Sequence, residues 1–195
     1  MVTSDQKIKA FFEDTIFDID DKDEIDAFFN NYSDRKVIQC LSDKLKSLST
    51  ERYSDEPSWV LGGIFGRISN KYSLDTQLFP LLNTCTLVEK KVFLNFLSGY
   101  FERAEPDVEI VVKIAEEIAY IIANPDDFKW DRETIALGIE AVFLAYLNVN
   151  NKKLFHVDKI IENKLIKMLK IFKAYLSDFL PESQVHQFLV RDFHE

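Results

Sequence analysis

The sequence predicts an all-α protein, and three observations carry that expectation. Apolar residues recur at intervals of three and four along almost the whole chain, the spacing that lines side chains up on one face of a helix. No segment alternates apolar and polar residues with a period of two between turn residues, as a half-buried strand requires. Turns are also sparse: 5 Gly and 5 Pro stand against 17 Phe and long Leu and Ile series, so apolar packing outweighs chain reversal. Nine or ten helices in antiparallel succession are expected, as a HEAT-like α-solenoid or an irregular helical bundle, in one domain covering 1–195.

Taken in order, Ile8, Phe11, Phe12 and Ile16 define a first apolar stripe, and Ile25, Phe28 and Phe29 a short second one. Ser33 stands where it would cap a third helix, in which Val37, Ile38, Leu41, Leu45 and Leu48 form a stripe opposite lysines. Glu56 and Pro57 open the next, because a proline in the first turn lacks only an N–H that would have no helical partner. Its buried side is expected to be Trp59, Val60, Ile64, Phe65 and Ile68. A short segment follows at 74–82, kinked or broken at Pro80. From 87 to 101 the series Val88, Val92, Phe93, Phe96, Leu97 and Tyr100 is again helical.

Glu105 and Pro106 start a helix that should run to about Ala123, with Asp107 and Glu109 complementing its dipole. A loop at 124–127 follows, and then an Asp131 cap flanked by Trp130 and Ile135 as a hydrophobic staple. That helix is expected to stop near Asn148. Ile161, Leu165, Leu169, Phe172, Leu176 and Phe179 mark a long amphipathic helix ending at Pro181, and a last helix occupies 182–193.

With 47% hydrophobic residues in 195, the chain can bury a core without disulfides or metals. Residues 1–9 carry acid and lysine where a secretory segment would need an apolar run, and no stretch is long and apolar enough to span a bilayer. The expectation is a cytoplasmic protein without a membrane partner. Cys40 and Cys85 stand far apart among apolar residues and read as reduced core thiols. A formal net charge of -9 argues against nucleic-acid binding, which draws its affinity from cations on phosphates, and favours a basic partner. The charge is bipolar, since seven lysines fall between 152 and 173 against only Asp158 and Glu162.

The densest charge run, Asp18-Ile19-Asp20-Asp21-Lys22-Asp23-Glu24-Ile25-Asp26, is the first place to look for a metal. Counted as a calcium loop from Asp18, it has Lys22 at a ligand position and Asp23 where the turn needs glycine. Asp20, Asp21 and Glu24 have the spacing of a magnesium cluster but lack a second cluster to face them, so no metal or other cofactor is assigned. Leu61-Gly62-Gly63-Ile64-Phe65-Gly66 follows no strand and ends in no Lys-Ser or Lys-Thr pair, which fails the phosphate-loop test. Three glycines in one helix cost about 1 kcal/mol each relative to alanine. Close helix packing at Gly62 and Gly66, which share a face, is the expected compensation; a closely approaching partner backbone is the other. His156, His186 and His194 are too dispersed for a zinc site, and no nucleophile and base pair off, so no catalytic residue is assigned.

In size, acidity and helical build the chain resembles the helical immunity proteins of bacterial toxin systems, which neutralise a cognate toxin, often a basic nuclease, by covering its active surface. The resemblance rests on overall character and transfers no individual residue. It implies a non-catalytic protein-binding module. The acidic positions Asp18, Asp20, Asp21, Asp23, Glu24, Asp26, Glu116, Glu117, Asp126, Asp127 and Asp131 are then the candidate partner contacts, with Trp130 as an exposed aromatic anchor. A helical-repeat adaptor and a metal-dependent helical enzyme built on Asp20, Asp21 and Glu24 are the alternatives.

Overall fold

A computed structural model describes residues 3–15, 22–51, 54–67, 82, 84–104, 108–124, 127–151, 159–178 and 180. Among these residues the chain is all-helical and contains no strand. Eight α-helices are present: α1 (Ser4–Ala10), α2 (Lys22–Phe29), α3 (Asp34–Leu48), α4 (Asp55–Arg67), α5 (Leu87–Arg103), α6 (Val108–Ala123), α7 (Arg132–Asn151) and α8 (Lys159–Ser177). They fall into two compact units, Met1–Glu105 and Pro106–Glu195. The segment expected at 74–82, apart from Leu82, and the helix expected at 182–193 lie outside the described residues, as do Ile16, Ile68 and Phe179.

In the first unit, α1 begins with a capping box. The Thr3 hydroxyl accepts from the Gln6 N–H at 3.3 Å, and the Thr3 N–H donates to Gln6 Oε1 at 2.8 Å. The expected single stripe is interrupted, because Phe11–Thr15 forms a π-helical turn directly after α1. A π turn widens the helix by one residue per turn, and the consecutive side chains Phe11 and Phe12 are both buried there. Phe11 stacks on Phe28 of α2 with ring centroids 3.8 Å apart, and Phe12 meets Phe29 and Phe65. These rings continue through Phe96, so a phenylalanine series ties α1, α2, α4 and α5 together.

Helix α3 buries the stripe read from its sequence: Val37, Ile38, Leu41, Leu45 and Leu48. Ser33 occupies the N-cap position, but its hydroxyl makes no capping bond; its carbonyl instead accepts from the N–H groups of Lys36 and Val37. Helix α5 opens on a fuller device. The Thr86 hydroxyl accepts from the Glu89 N–H, and the Glu89 carboxylate accepts from the Thr86 N–H at 2.7 Å. Val88, expected in the α5 stripe, is 56% exposed, whereas Val92, Phe93, Phe96, Leu97 and Tyr100 are buried as expected.

The largest departure concerns which face α4 buries. Of the expected side Phe65 is buried, but Val60 and Ile64 are only half-buried and Trp59 is 39% exposed; the covered side is Ser58, Leu61, Gly62, Phe65 and Gly66. The cause is the glycines. A Cβ on Gly62 would collide with the Phe96 carbonyl and lie 2.8 Å from the Tyr100 nitrogen; one on Gly66 would lie 2.5 Å from the Tyr100 carbonyl oxygen. Reciprocally, a Cβ on Gly99 would collide with the Trp59 carbonyl. Backbone therefore lies against backbone, with the α-hydrogens of glycine aimed at carbonyl oxygens. The pairing order, Asp55 with Asn95, Trp59 with Gly99 and Gly66 with Arg103, makes α4 and α5 parallel.

In the second unit α6 is apolar on one broad face, with Val111, Val112, Ile114, Ala115, Ile118 and Ile121 buried, and it packs against both α7 and α8. Gly138 of α7 faces Ile118, whose Cδ1 would lie 3.0 Å from an added Cβ. Helix α7 continues to Asn151, past the expected stop at Asn148. Helix α8 buries Leu165, Leu169, Phe172 and Leu176 as predicted, with Ile161 at the margin.

Two substitutions separate the roles of adjacent glycines. Gly62→Ala should cost about 3 kcal/mol, because the methyl meets a carbonyl that cannot move without its helix. Gly63→Ala, whose Cβ would meet nothing closer than 3.8 Å, should stabilise by up to about 1 kcal/mol through helix propensity. Urea unfolding of both variants checks the contrast. A second expectation follows from the α5 cap, where the Thr86 N–H and hydroxyl hold the Glu89 carboxyl below its ordinary range. A depressed folded value means the stabilisation is present above the unfolded pKa of about 4.3 and is lost as pH falls below it. Glu89→Gln should therefore lower the unfolding midpoint at neutral pH and approach the parent protein below about pH 4.

Candidate functional site

The acidic positions singled out in the sequence are divided between the two units. Asp23, Glu24 and Asp26 belong to α2 of the first unit, with Asp23 and Glu24 in its exposed first turn and Asp26 half-buried. Glu116, Glu117, Asp127, Trp130 and Asp131 belong to the second unit, and Asp18, Asp20, Asp21 and Asp126 lie outside the described residues. Several of the described carboxylates have structural work. Glu116 pairs with Lys164 of α8 at 3.7 Å. Asp131 caps α7 as expected, its Oδ1 accepting from the Thr134 N–H at 2.8 Å and from the Thr134 hydroxyl at 2.6 Å. Trp130 is half-buried rather than an exposed anchor: its ring lies beside Gly138, where the missing side chain leaves room for it.

Glu24 and Asp127 are exposed, and among the described residues neither takes part in an ion pair. No group of three metal-ligating side chains occurs among the described residues, and none of the described helices is long and apolar enough to cross a membrane.

One concave feature was not legible in the sequence. A cleft of about 320 Å³ lies between α1 and α3, lined by Asp5 and Lys9 from α1 and by Ser33, Arg35, Lys36, Gln39, Cys40 and Asp43. The two α1 charges that line the cleft meet their opposites on α3. Lys36 lies 2.8 Å from Asp5, Lys9 lies 3.8 Å from Asp43, and Gln39 donates to Asp43 at 3.1 Å. Asp5 and Lys9 are four residues apart, and Lys36, Cys40 and Asp43 follow at intervals of four and three, so each set shares one helical face. The spacing shows each face separately; only the packing of α1 on α3 brings the two together.

Both cysteines are buried and unbridged. Burial pushes the Cys40 thiol up, with Asp5 adding to the effect, and burial together with Glu89 does the same for Cys85. Thiols held protonated are poor nucleophiles, so the cleft is a polar surface of mixed charge around an unactivated sulfur. Glu140 of α7 is half-buried, and desolvation raises its pKa.

The fold thus defines a class, an all-α protein of two compact helical units. Comparison with protein-family models, with curated proteins and with solved structures finds no match.

Asp131→Ala should destabilise the second unit by about 1 kcal/mol or more through loss of the cap, read by urea unfolding. Asp127→Ala, exposed and outside the helix, should change stability by less than about 0.5 kcal/mol, which makes it the cleaner probe of any binding role.

Proposed function

We propose that the chain is a non-catalytic, cytoplasmic protein-binding module that engages a basic protein partner through exposed carboxylates, in the manner of the helical immunity proteins it resembles. The observation that carries this reading is an excess of nine negative charges with Glu24 and Asp127 exposed and in no ion pair among the described residues. Such a surface raises the encounter rate with a basic protein while leaving affinity to whatever apolar contact follows. With structural duties at Glu116 and Asp131, the described carboxylates of the contact set are chiefly Asp23, Glu24 and Asp26 on α2 and Glu117 and Asp127 in the second unit. The repeat arrangement of a HEAT-like solenoid belongs to this proposal too, as a way for successive helices to present a continuous binding face.

The test is affinity capture from the native organism, mass-spectrometric identification of the captured protein, and binding at two salt concentrations. A single basic partner, toxic when expressed alone, is the expected result. Reversing Asp23 and Glu24 to lysine should then slow association by about tenfold at low salt and flatten its salt dependence. Several unrelated host partners would replace the toxin reading with the adaptor. Stoichiometric bound metal, lost on Asp21→Ala, would replace it with the enzyme.

A further inference from the structure

Helix α1 is held to the first unit in two different ways at its two ends. At its C-terminal end the chain enters the π-helical turn, where Phe11 and Phe12 are 6% and 0% exposed and locked among Phe28, Phe29 and Phe65. At its N-terminal end the attachment to α3 is electrostatic: Asp5 to Lys36, with Lys9 to Asp43 one turn further on. These four side chains are 38% to 58% exposed, so salt screens them readily. Ile8 is the only buried residue of α1. Beneath the helix, between Lys36 and Asp43 on the α3 face, lies Cys40, 3% exposed.

We propose that α1 is a latch over the Cys40 thiol, hinged at the π-helical turn and closed by the exposed ion pairs, so that ionic strength sets how often the thiol is uncovered. The helix moves as one piece because its capping box ties Thr3 to Gln6 and because all seven residues share one hydrogen-bonded run. The aromatic anchor stays in place on opening, since Phe11 and Phe12 lie beyond the hinge end. The Ile8 contact, the two ion pairs and the bonds from the Phe11 N–H to the Ile8 and Lys7 carbonyls at the hinge are given up. Opening is therefore local, and it differs from unfolding of the unit, which would also release α3, α4 and α5.

Alkylation by iodoacetamide, resolved by peptide mass mapping, tests this with Cys85 as the internal reference, since that thiol is also buried and its charged neighbours, Glu89, Lys46 and Lys90, are not on α1. Raising salt from about 20 mM to about 0.5 M should speed Cys40 labelling roughly two- to fivefold, the range for losing two exposed ion pairs. Cys85 should keep its rate. Asp5→Asn should give the fast Cys40 rate at low salt and remove most of the salt response. Lys36→Gln is the decisive variant. Lys36 lowers the Cys40 pKa by direct charge interaction, so removing it without any latch would slow labelling, whereas opening the latch speeds it. A Cys40 rate that is unchanged by salt, or slowed by Lys36→Gln, overturns the proposal. So does labelling of Cys40 and Cys85 in step, which would mean that the thiols are exposed only by global unfolding.

Discussion

The close approach of α4 and α5 is the constraint from which the first unit follows. Gly62 and Gly66 on one helix and Gly99 on the other bring two backbones into contact along a common direction. Glycine in a helix costs about 1 kcal/mol relative to alanine, and here that cost is offset by contacts that any Cβ would abolish. The pairing also decides where the larger side chains go. With the glycine face turned inward, Phe65 reaches Phe96, Phe12 and Phe29, while Trp59 is left at the margin. The π-helical turn after α1 serves the same ring series from the other side, delivering two consecutive phenylalanines to it.

The second unit solves its packing differently. Helix α6 has an apolar face wide enough to serve α7 and α8 at once, and Gly138 admits Ile118 and the Trp130 ring rather than a whole backbone. Its charges follow from that arrangement. Asp131 caps its own helix and Glu116 pairs with Lys164 of α8, so part of the acidity visible in the composition is used inside the unit.

The relation between charge and possible function is correspondingly selective. A carboxylate already committed to a cap or an ion pair gains little from a basic partner, because binding would exchange one favourable contact for another. Exposed, uncommitted groups such as Glu24 and Asp127 retain their full electrostatic reach. The α1 and α3 faces carry opposite charges that satisfy each other, which makes that cleft a place where the molecule binds itself.

By itself the sequence determined the helical class, the stripes of α3 and α8 and, apart from Val88, that of α5, the end of α6 at Ala123 and the Asp131 cap, because apolar periodicity and capping chemistry act within a few residues of one another. It also indicated that Gly62 and Gly66 serve a close contact. What only tertiary structure decided is what each face meets. Hydrophobicity placed Trp59, Val60 and Ile64 inward, but the smallest residues went inward instead, since the partner helix could approach only there. The half-burial of Trp130 and the meeting of Asp5 and Lys9 with Lys36 and Asp43 are of this kind. Each depends on residues distant in the chain, and periodicity along one helix carries no information about the helix packed against it.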